Sequence, residues 1–378
     1  MRNELCRRLG IEFPIFAFTH CRDVAAAVTL AGGLGVLGTT RQSPELLELD
    51  LRWLDERCAG RPYGVDMLFP ARTAGEDEAA LAAAIPAEHR AFVAELNRRF
   101  GIGEPKDRAQ YSHAGDNLIT THRRAQEKWE IARAHQPALV ASALGPVPRA
   151  VEQESHRYGA TVVGMVGSPG QAAAHVAAGA DVIVAQGTEA GGHTGRISTL
   201  VLVPQVVDEV PGTPVLAAGG IADGRQIAAA LALGAQGVWT GSIWLTTVES
   251  DVEEPVKRKL LAASSRDAIQ SRCLTGKPIR MLRTPWVEAW ESAGAPPPLP
   301  APLQGMLVRD TMTAIFDHEV EEVMGTAVGQ GVGMMRRITD VRTQMYELVE
   351  GFANAVTALQ AALEPAGPDV PEPADTGQ

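Results

Sequence analysis

The chain has 378 residues, 45% of them hydrophobic and 5% aromatic, and its formal net charge at pH 7 is -11. This composition is typical of a globular protein with one large domain and an appendage. The acidic balance argues against nucleic acid or an anionic membrane surface as a partner. No apolar run approaches the ~20 residues of a membrane helix. Residues 1–14 carry charges where a secretory signal would be apolar, so a cytoplasmic location is expected.

Cysteine and histidine spacing indicates neither a disulfide framework nor a metal site. The four cysteines show no CxxC or Cys/His pattern, and none of the nine histidines belongs to an HExxH motif. We therefore expect no bound metal, and reduced thiols at Cys6, Cys21, Cys58 and Cys273.

One junction recurs along the chain: a helical segment ends in glycine, and a short strand of small and β-branched residues follows. Glycine closes helices in the left-handed conformation, and an uninterrupted apolar strand suits a parallel sheet that is buried on both faces. In chain order, the predicted strands are Phe13–Phe18, Leu34–Leu37, Tyr63–Leu68, Ala138–Ala143, Thr161–Val166, Asp181–Ala185, Pro214–Ala218 and Gly237–Thr240.

Helices are predicted between most of these strands, including Ser43–Arg57, Pro169–Ala178, Thr199–Val210 and Asp223–Leu233. Eight strand–helix units in about 240 residues predict an α/β protein with a (β/α)8 TIM barrel over residues 1–248, because a doubly wound sheet seldom needs eight. A G-x-G-x-x-G match at residues 33–38 does not indicate a Rossmann fold, since the strand lies within the match and not before it.

Two segments interrupt the alternation. The first, Pro70–Thr121, follows the third strand and is polar and turn-rich, so we expect an insertion that acts as a lid over the active face. Tyr111 and His113 in this insertion could contact a substrate, and the alternative is that they are solvated loop residues.

The second segment, Glu249–Pro302, is expected to be irregular and ends in a proline-rich stretch. Helices are predicted beyond it at Val308–Val323 and Gly333–Leu363, so residues 249–363 would form a mainly helical C-terminal extension that packs on the barrel. The tail, residues 364–378, is expected to be disordered.

Two consecutive strand ends carry residues suited to phosphate. In a TIM barrel, phosphate binds to the loops after strands seven and eight, where backbone N–H groups point at the anion. Gly219 and Gly220 can bring the backbone close to an oxygen, and Gly241 with Ser242 can add an N–H group and a hydroxyl. The alternative is that these glycines only terminate strands.

The end of strand six carries a histidine beside glycines. Gly191 and Gly192 would let the loop pass close to a flat ligand and leave His193 projecting without crowding. A histidine at this end of a barrel can act as a general base, and the Gln186 amide can hydrogen-bond a cofactor edge. A histidine that caps a loop or packs in the core is the alternative.

Four stretches carry a resemblance to a known family: "AGGLGVLG" at residues 31–38, "AQGTEAGGHTG" at 185–195, "VLVPQVVD" at 201–208 and "PVLAAGGIADGRQIAAALALGAQGVWTGSIWL" at 214–245. Together they resemble the nitronate monooxygenase (2-nitropropane dioxygenase) family of FMN-dependent barrels. The wider superfamily contains flavin-dependent enoyl-acyl-carrier-protein reductases and NADH:quinone reductases that share much of this pattern.

The resemblance implies FMN, with its phosphate on the two glycine-bearing strand ends. His193 matches the catalytic histidine of the family, which would manage the proton α to the nitro group, while electrons pass to the flavin and then to dioxygen. The stretch "VGQGVGMM" at 328–335 resembles a glycine loop that closes over the flavin, and a plain helix start is its alternative. The residues implied to contact the cofactor are Ala17, Phe18, Asp66, Gln186, Gly191, Gly192, Gly219, Gly220, Gly241, Ser242 and Gln330.

Several positions depart from the family pattern and suggest a different substrate pocket. Strand one is followed by Thr19, His20 and Cys21 in place of a methionine turn, strand eight by "GSIW" in place of Gly-Thr-Arg-Phe, and Asp66 stands where relatives typically have asparagine. His20 could be a second catalytic or substrate-binding histidine, or could cap the next helix, with Asp23 the favoured N-cap.

We therefore expect an enzyme that oxidises alkyl nitronates with O2 to a carbonyl compound and nitrite. The first alternative is an NAD(P)H-dependent flavin reductase acting on an enone, an enoyl thioester or a quinone. The second is a barrel that binds a phosphorylated metabolite without redox chemistry. The expected partners are a small-molecule substrate and either O2 or NAD(P)H, and a homodimer is compatible with the sequence.

Overall fold

The computed structural model describes residues 1–40, 42–69, 78–106 and 122–363. Eight parallel strands close into a barrel, with the first strand paired to both the second and the last. The TIM-barrel prediction is confirmed, and every barrel strand begins within two residues of its predicted start. These strands are β1 (Ile15–Thr19), β2 (Leu34–Gly38), β3 (Gly64–Met67), β4 (Leu139–Ser142), β5 (Thr161–Val166), β6 (Val182–Gln186), β8 (Val215–Ala218) and β9 (Gly237–Thr240). A two-residue strand outside the barrel, β7 (Gly192–His193), follows β6.

Helices alternate with the strands and cover the barrel. Two helices that were predicted from the sequence have side-chain caps at their first turns: Ser43 accepts a hydrogen bond from the Leu46 N–H group, and Asp223 forms a capping box with Gln226. The helices are α1 (Glu4–Leu9), α2 (Arg22–Leu30), α3 (Pro44–Cys58), α4 (Glu78–Ala83), α5 (Ala87–Phe100), α6 (His122–Ala134), α7 (Arg149–Arg157), α8 (Pro169–Ala177), α9 (Thr199–Glu209), α10 (Gly224–Ala232), α11 (Glu254–Ala262), α12 (Pro285–Trp290), α13 (Leu303–Asp317) and α14 (Val341–Leu363). In the described part of the chain, no helix is long and apolar enough to cross a membrane.

The glycines at residues 33–38 allow α2 to pack closely on the barrel. A Cβ atom added at Gly35 would lie 2.0 Å from the Ala25 carbonyl oxygen of α2, and one at Gly33 would lie 2.7 Å from the Ile15 carbonyl oxygen. These glycines therefore serve a helix–strand contact, which agrees with the sequence argument against a Rossmann turn.

The segment after the barrel is more regular than predicted. Residues 249–302, expected to be irregular, contain α11, α12 and an antiparallel pair of strands, β10 (Ala268–Ser271) and β11 (Ile279–Leu282). β11 also pairs with β7, so Ile279 lies opposite His193. The sequence did not predict these two strands, because each has only four residues and shows no apolar periodicity. Their pairing depends on tertiary contacts.

The two C-terminal helices differ from prediction in their bounds. α13 covers Leu303–Asp317 and not Val308–Val323, and its C-cap is His318. Residues Gln330–Met334 form a short 3-10 helix, so α14 begins at Val341 and not at Gly333. The tail from residue 364 lies outside the described residues.

Part of the insertion, which was expected to be polar and turn-rich, is core structure, and its role as a lid stays a prediction. Val93, Leu96 and Phe100 of α5 are buried in one cluster with residues of α12 and α13, and the Phe92 and Trp290 rings meet edge to face at 4.9 Å between centroids. The sequence missed this contact because the apolar face of α5 is separated from its partners by about 200 residues. Residues 70–77 and 107–121, with Tyr111 and His113, lie outside the described residues.

Candidate active site

A cavity of about 580 Å³ opens at the carboxyl ends of the barrel strands, where TIM barrels hold their active sites. Its floor is formed by residues that end or follow β1, β2, β3, β6, β8 and β9. Its outer wall comes from the C-terminal region and includes Val308, Met312 and Phe316 of α13. The predicted site residues that line this cavity are Phe18, His20, Asp66, Gln186, Gly191, Gly192, His193, Gly219, Gly220, Gly241 and Ser242.

Two predicted cofactor residues do not line the cavity. Ala17 is fully buried and packs with Val24 and Val28 of α2, because alternate residues of β1 point to opposite faces. The resemblance implies a contact through the backbone near Ala17 and Phe18, and that contact stays a prediction. Gln330 lies between Gly329 and Gly331, which do line the cavity, and its N–H group donates to the Glu189 carbonyl oxygen at 2.8 Å.

The two glycine-bearing strand ends present backbone to the cavity. Gly219 and Gly220 have φ angles of 110° and 70°, a region that favours glycine. A Cβ atom at Gly219 would lie 2.7 Å from Thr199 Oγ1. No hydrogen bond among the described residues uses the N–H groups of Gly219, Gly220 or Gly241. These donors are available to an anion, whereas Ser242 Oγ accepts from the Gly329 N–H group at 2.8 Å.

His193 is held by its strand and by one side-chain hydrogen bond. Its Nε2 atom lies 2.8 Å from the Thr275 hydroxyl oxygen. That hydroxyl also contacts the Lys277 carbonyl oxygen at 3.3 Å, as a donor. A hydroxyl has one proton. When Thr275 donates it to Lys277, His193 must donate from Nε2, which leaves Nδ1 as the basic nitrogen.

The protein surroundings keep His193 neutral. Burial and the positive charge of Lys277 lower the pKa of this histidine to about 4. The His193 side chain is nevertheless accessible, and it lines the cavity. At pH 7 the imidazole is therefore a reachable neutral base.

The first part of the loop between β6 and β7 is held by hydrogen bonds to Arg280 and Thr199. The buried Arg280 guanidinium donates to the Thr188 carbonyl oxygen at 2.8 Å and to the Ala268 carbonyl oxygen at 2.6 Å. The Glu189 carboxylate accepts from the Thr199 N–H group and hydroxyl, both at 2.9 Å. The geometry of the histidine loop thus depends on the C-terminal strands.

Close backbone packing joins the histidine loop to the C-terminal glycine loop. A Cβ atom at Gly191 would lie 2.8 Å from the Gly329 nitrogen, and one at Gly329 would lie 2.6 Å from the Glu189 carbonyl oxygen. Neither position has room for a side chain. The resemblance of residues 328–335 to a loop that closes on the site therefore agrees with their position.

Asp66 and His20 occupy the side of the cavity formed by β1, β2 and β3. Burial raises the pKa of Asp66 to about 7, and its Oδ1 atom has no hydrogen-bond partner among the described residues. His20 Nδ1 lies 2.9 Å from the Gly38 carbonyl oxygen, and its ring contacts Phe18 edge to face. The N-cap of α2 is Cys21, without a side-chain hydrogen bond, so the prediction of Asp23 as N-cap is wrong.

Thr275, Lys277, Arg280 and Glu189 were not singled out from the sequence. Their signal is tertiary, since Thr275 meets His193 across 82 residues of chain. Within the described residues, no group of three or more His, Cys, Asp or Glu side chains could hold a metal ion.

Comparisons with known proteins identify relatives along nearly the whole chain. A Mycobacterium tuberculosis protein named only as a candidate monooxygenase is 48% identical over 96% of this chain and 100% of that protein. A second protein of that organism, named (3aS,4S,5R,7aS)-5-hydroxy-7a-methyl-1-oxo-octahydro-1H-indene-4-carboxyl-CoA dehydrogenase, is 32% identical over 77% of this chain and 69% of its own length. A nitroalkane oxidase structure from Streptomyces ansochromogenes superposes with a TM-score of 0.77 and 28% identity, over 94% of this chain and 100% of that chain.

The family model described as "Nitronate monooxygenase" matches residues 3–351. This match includes the barrel, the histidine loop and the C-terminal glycine loop. Its relatives carry out oxidation–reduction chemistry, so a non-redox barrel is not supported. The chain therefore belongs to the nitronate monooxygenase family and is an oxidoreductase.

Proposed function

We propose that this enzyme is an FMN-dependent nitronate monooxygenase, which oxidises alkyl nitronates with O2 to a carbonyl compound and nitrite. The observation that carries the proposal is that one cavity holds both a neutral histidine and two glycine turns with unused N–H donors. The first suits proton transfer from a carbon acid, and the second suits the phosphate of a cofactor.

The cavity residues fit FMN by their chemistry. Gly219, Gly220 and Gly241 offer N–H groups for the phosphate, and the Asp66 carboxyl group and the Gln186 amide offer polar partners for a heterocyclic ring. FMN, when bound, would supply the electron acceptor for substrate oxidation and the electron donor for O2.

The chain's own residues would handle the proton and the substrate. His193 Nδ1 accepts the α proton of a nitroalkane, or orients a nitronate that is already deprotonated. Thr275 fixes the imidazole ring through Nε2, so the ring does not have to reorient during the reaction. Met312 and Phe316 supply an apolar wall for the alkyl group.

A second candidate is an NAD(P)H-dependent flavin reductase acting on an enone, an enoyl thioester or a quinone. It is favoured by the carboxyl-CoA dehydrogenase relative and by the apolar wall of α13. In this case the same cavity would bind the dihydronicotinamide and the substrate in turn.

Anaerobic bleaching of the bound flavin tests both candidates. We expect alkyl nitronates to bleach the yellow protein rapidly, with nitrite released when air is admitted. Rapid bleaching by NADH or NADPH but not by nitronates would replace the first proposal with the second. A colourless protein that binds no added FMN would contradict both. Cytoplasmic location and a homodimer remain predictions, which fractionation and light scattering would test.

A further inference from the structure

Asp66 is a buried carboxyl group with an unused hydrogen-bonding atom beside the cavity. It lies in β3, opposite Gly38 of β2 and Ala141 of β4, and only 6% of its surface is exposed. Its carbonyl oxygen is occupied by the N–H group and hydroxyl of Thr39. Its Oδ1 atom has no partner in the described part of the chain.

The elements around Asp66 do not compensate a negative charge. β2 and β4 contribute no titratable side chain. Nearby, His20 contacts the Gly38 carbonyl oxygen, and Lys128 of α6 donates to the Thr39 carbonyl oxygen at 2.8 Å. Burial is the cause of the raised pKa of Asp66, without a contribution from a charged group. The other charged residues of α6 on the adjoining smaller cavity are Arg123, Arg124 and Glu127.

A carboxyl group that is buried without a charged partner is better suited to donate a hydrogen bond than to accept one. An ionised carboxylate without a partner is costly to bury, whereas the neutral acid costs less and carries one O–H donor. An isoalloxazine ring presents carbonyl oxygens and ring nitrogens along its edge, and these are mostly acceptors. A neutral acid complements them, and a carboxylate repels them.

We propose that Asp66 binds the flavin as a neutral carboxylic acid that donates a hydrogen bond to the isoalloxazine ring, so that flavin affinity depends on the protonation of this side chain. The inference rests on the proposed flavin function. It assigns the proton to Asp66 and makes this residue a pH-dependent determinant of cofactor affinity, separate from the proton transfer by His193.

The test is the pH dependence of flavin binding, measured by quenching of riboflavin fluorescence between pH 5.5 and 9. Riboflavin lacks the phosphate, so the titration of that group does not contribute. For the wild-type protein we expect a constant Kd below pH 7 and a weakening of up to about tenfold per pH unit above it. The Asp66→Asn protein keeps a neutral donor of the same shape, and its Kd should be independent of pH.

Asp251, a solvent-exposed carboxyl group on the same cavity, gives the matched control. Asp251→Asn should retain the wild-type pH profile. Equal profiles for the wild-type and Asp66→Asn proteins would overturn the inference and leave the flavin proposal standing. If Asp66→Asn does not fold, the wild-type profile decides, because a Kd constant from pH 6 to 9 contradicts the inference. Absence of FMN and riboflavin binding in every protein would contradict the proposed function itself.

Discussion

The His193 imidazole is neutral, and one of its two ring nitrogens, Nε2, is hydrogen-bonded to a protein side chain. Its environment lowers the pKa to about 4, so the base does not lose its lone pair at neutral pH. The Thr275 hydroxyl oxygen lies 2.8 Å from Nε2, and when this hydroxyl donates to the Lys277 carbonyl oxygen, the basic nitrogen of the ring is Nδ1. The turn at residues 275–277 thus helps to fix the ring and, after burial, contributes to its neutral state.

Replacing His193 with alanine should separate cofactor binding from chemistry. We expect His193→Ala to bind FMN but to reduce it about 100- to 10,000-fold more slowly with a nitroalkane, the usual contribution of a general base. Stopped-flow anaerobic reduction measures the rate, and flavin absorbance in the same sample measures occupancy. A rate equal to wild type would remove His193 from the mechanism.

Lys277 sets part of the pH dependence. Its positive charge is the second cause of the lowered pKa of His193, after burial. Since the neutral form is the base, the rate of flavin reduction by a nitroalkane should stay level as pH falls from 8 to about 5 and decline near pH 4. In Lys277→Met the pKa of His193 should rise, so the decline should begin at higher pH. An unchanged acid limb would show that Lys277 does not act on this histidine.

At the scale of single residues, the sequence identified the groups on the strand ends but not the groups that hold them. His193 and the glycines follow predicted strands, and the barrel geometry gathers strand ends in one place. Thr275 reaches the same place from a turn and Arg280 from β11, and no periodic pattern in the sequence predicts either position. The Phe18 side chain lines the cavity and that of Ala17 does not, because a one-residue step along a strand reverses the face of the side chain.

The three-stranded sheet of β7, β10 and β11 is the element that aligns the histidine loop. Its strands are too short to be predicted from alternation, and Gly192 gives β7 no side chain at one of its two positions. Arg280 adds a second connection, because its guanidinium bridges the carbonyl oxygens of Thr188 and Ala268.

Removing this bridge should loosen the loop without unfolding the barrel. Arg280→Met leaves the buried Ala268 carbonyl oxygen and the partly buried Thr188 carbonyl oxygen without this donor, so we expect flavin reduction to slow on the order of 10- to 100-fold. Amide exchange in residues 188–195 should accelerate. Arg283→Met is the control, because Arg283 lies just beyond β11 with a half-exposed side chain. Equal exchange rates in the two variants would contradict a positioning role for Arg280.

Across the described residues, the first helix, α1, and the last helix, α14, both pack on the barrel. The sequence predicted all eight strands and their order because each junction repeats one local pattern, but it did not predict where α5 and α14 pack. α14 lies on α10 at a close approach: a Cβ atom at Gly224 would lie 2.1 Å from the Phe352 nitrogen. Because the atom in contact belongs to the backbone of α14, it cannot move aside as the end of a flexible side chain can.

Substitution of this glycine should therefore destabilise the fold. We expect Gly224→Ala to lose on the order of 1–3 kcal/mol of unfolding free energy through overpacking, measured by urea denaturation followed by circular dichroism. Gly170→Ala in the first turn of α8 is the matched control, since nothing lies within 4 Å of a Cβ atom there. Similar midpoints for the two variants would show that α14 can shift away from α10.

The β7–β11 pairing has a consequence for the order of assembly. During synthesis, the barrel's last strand, β9, ends at Thr240, whereas the strand that aligns His193 begins at Ile279 and the glycine loop that seats against Gly191 comes after residue 327. A nascent chain can thus close the eight-stranded barrel before β11 and the glycine loop fix the position of the His193 imidazole. We therefore expect catalytic competence to follow barrel closure as a separate event.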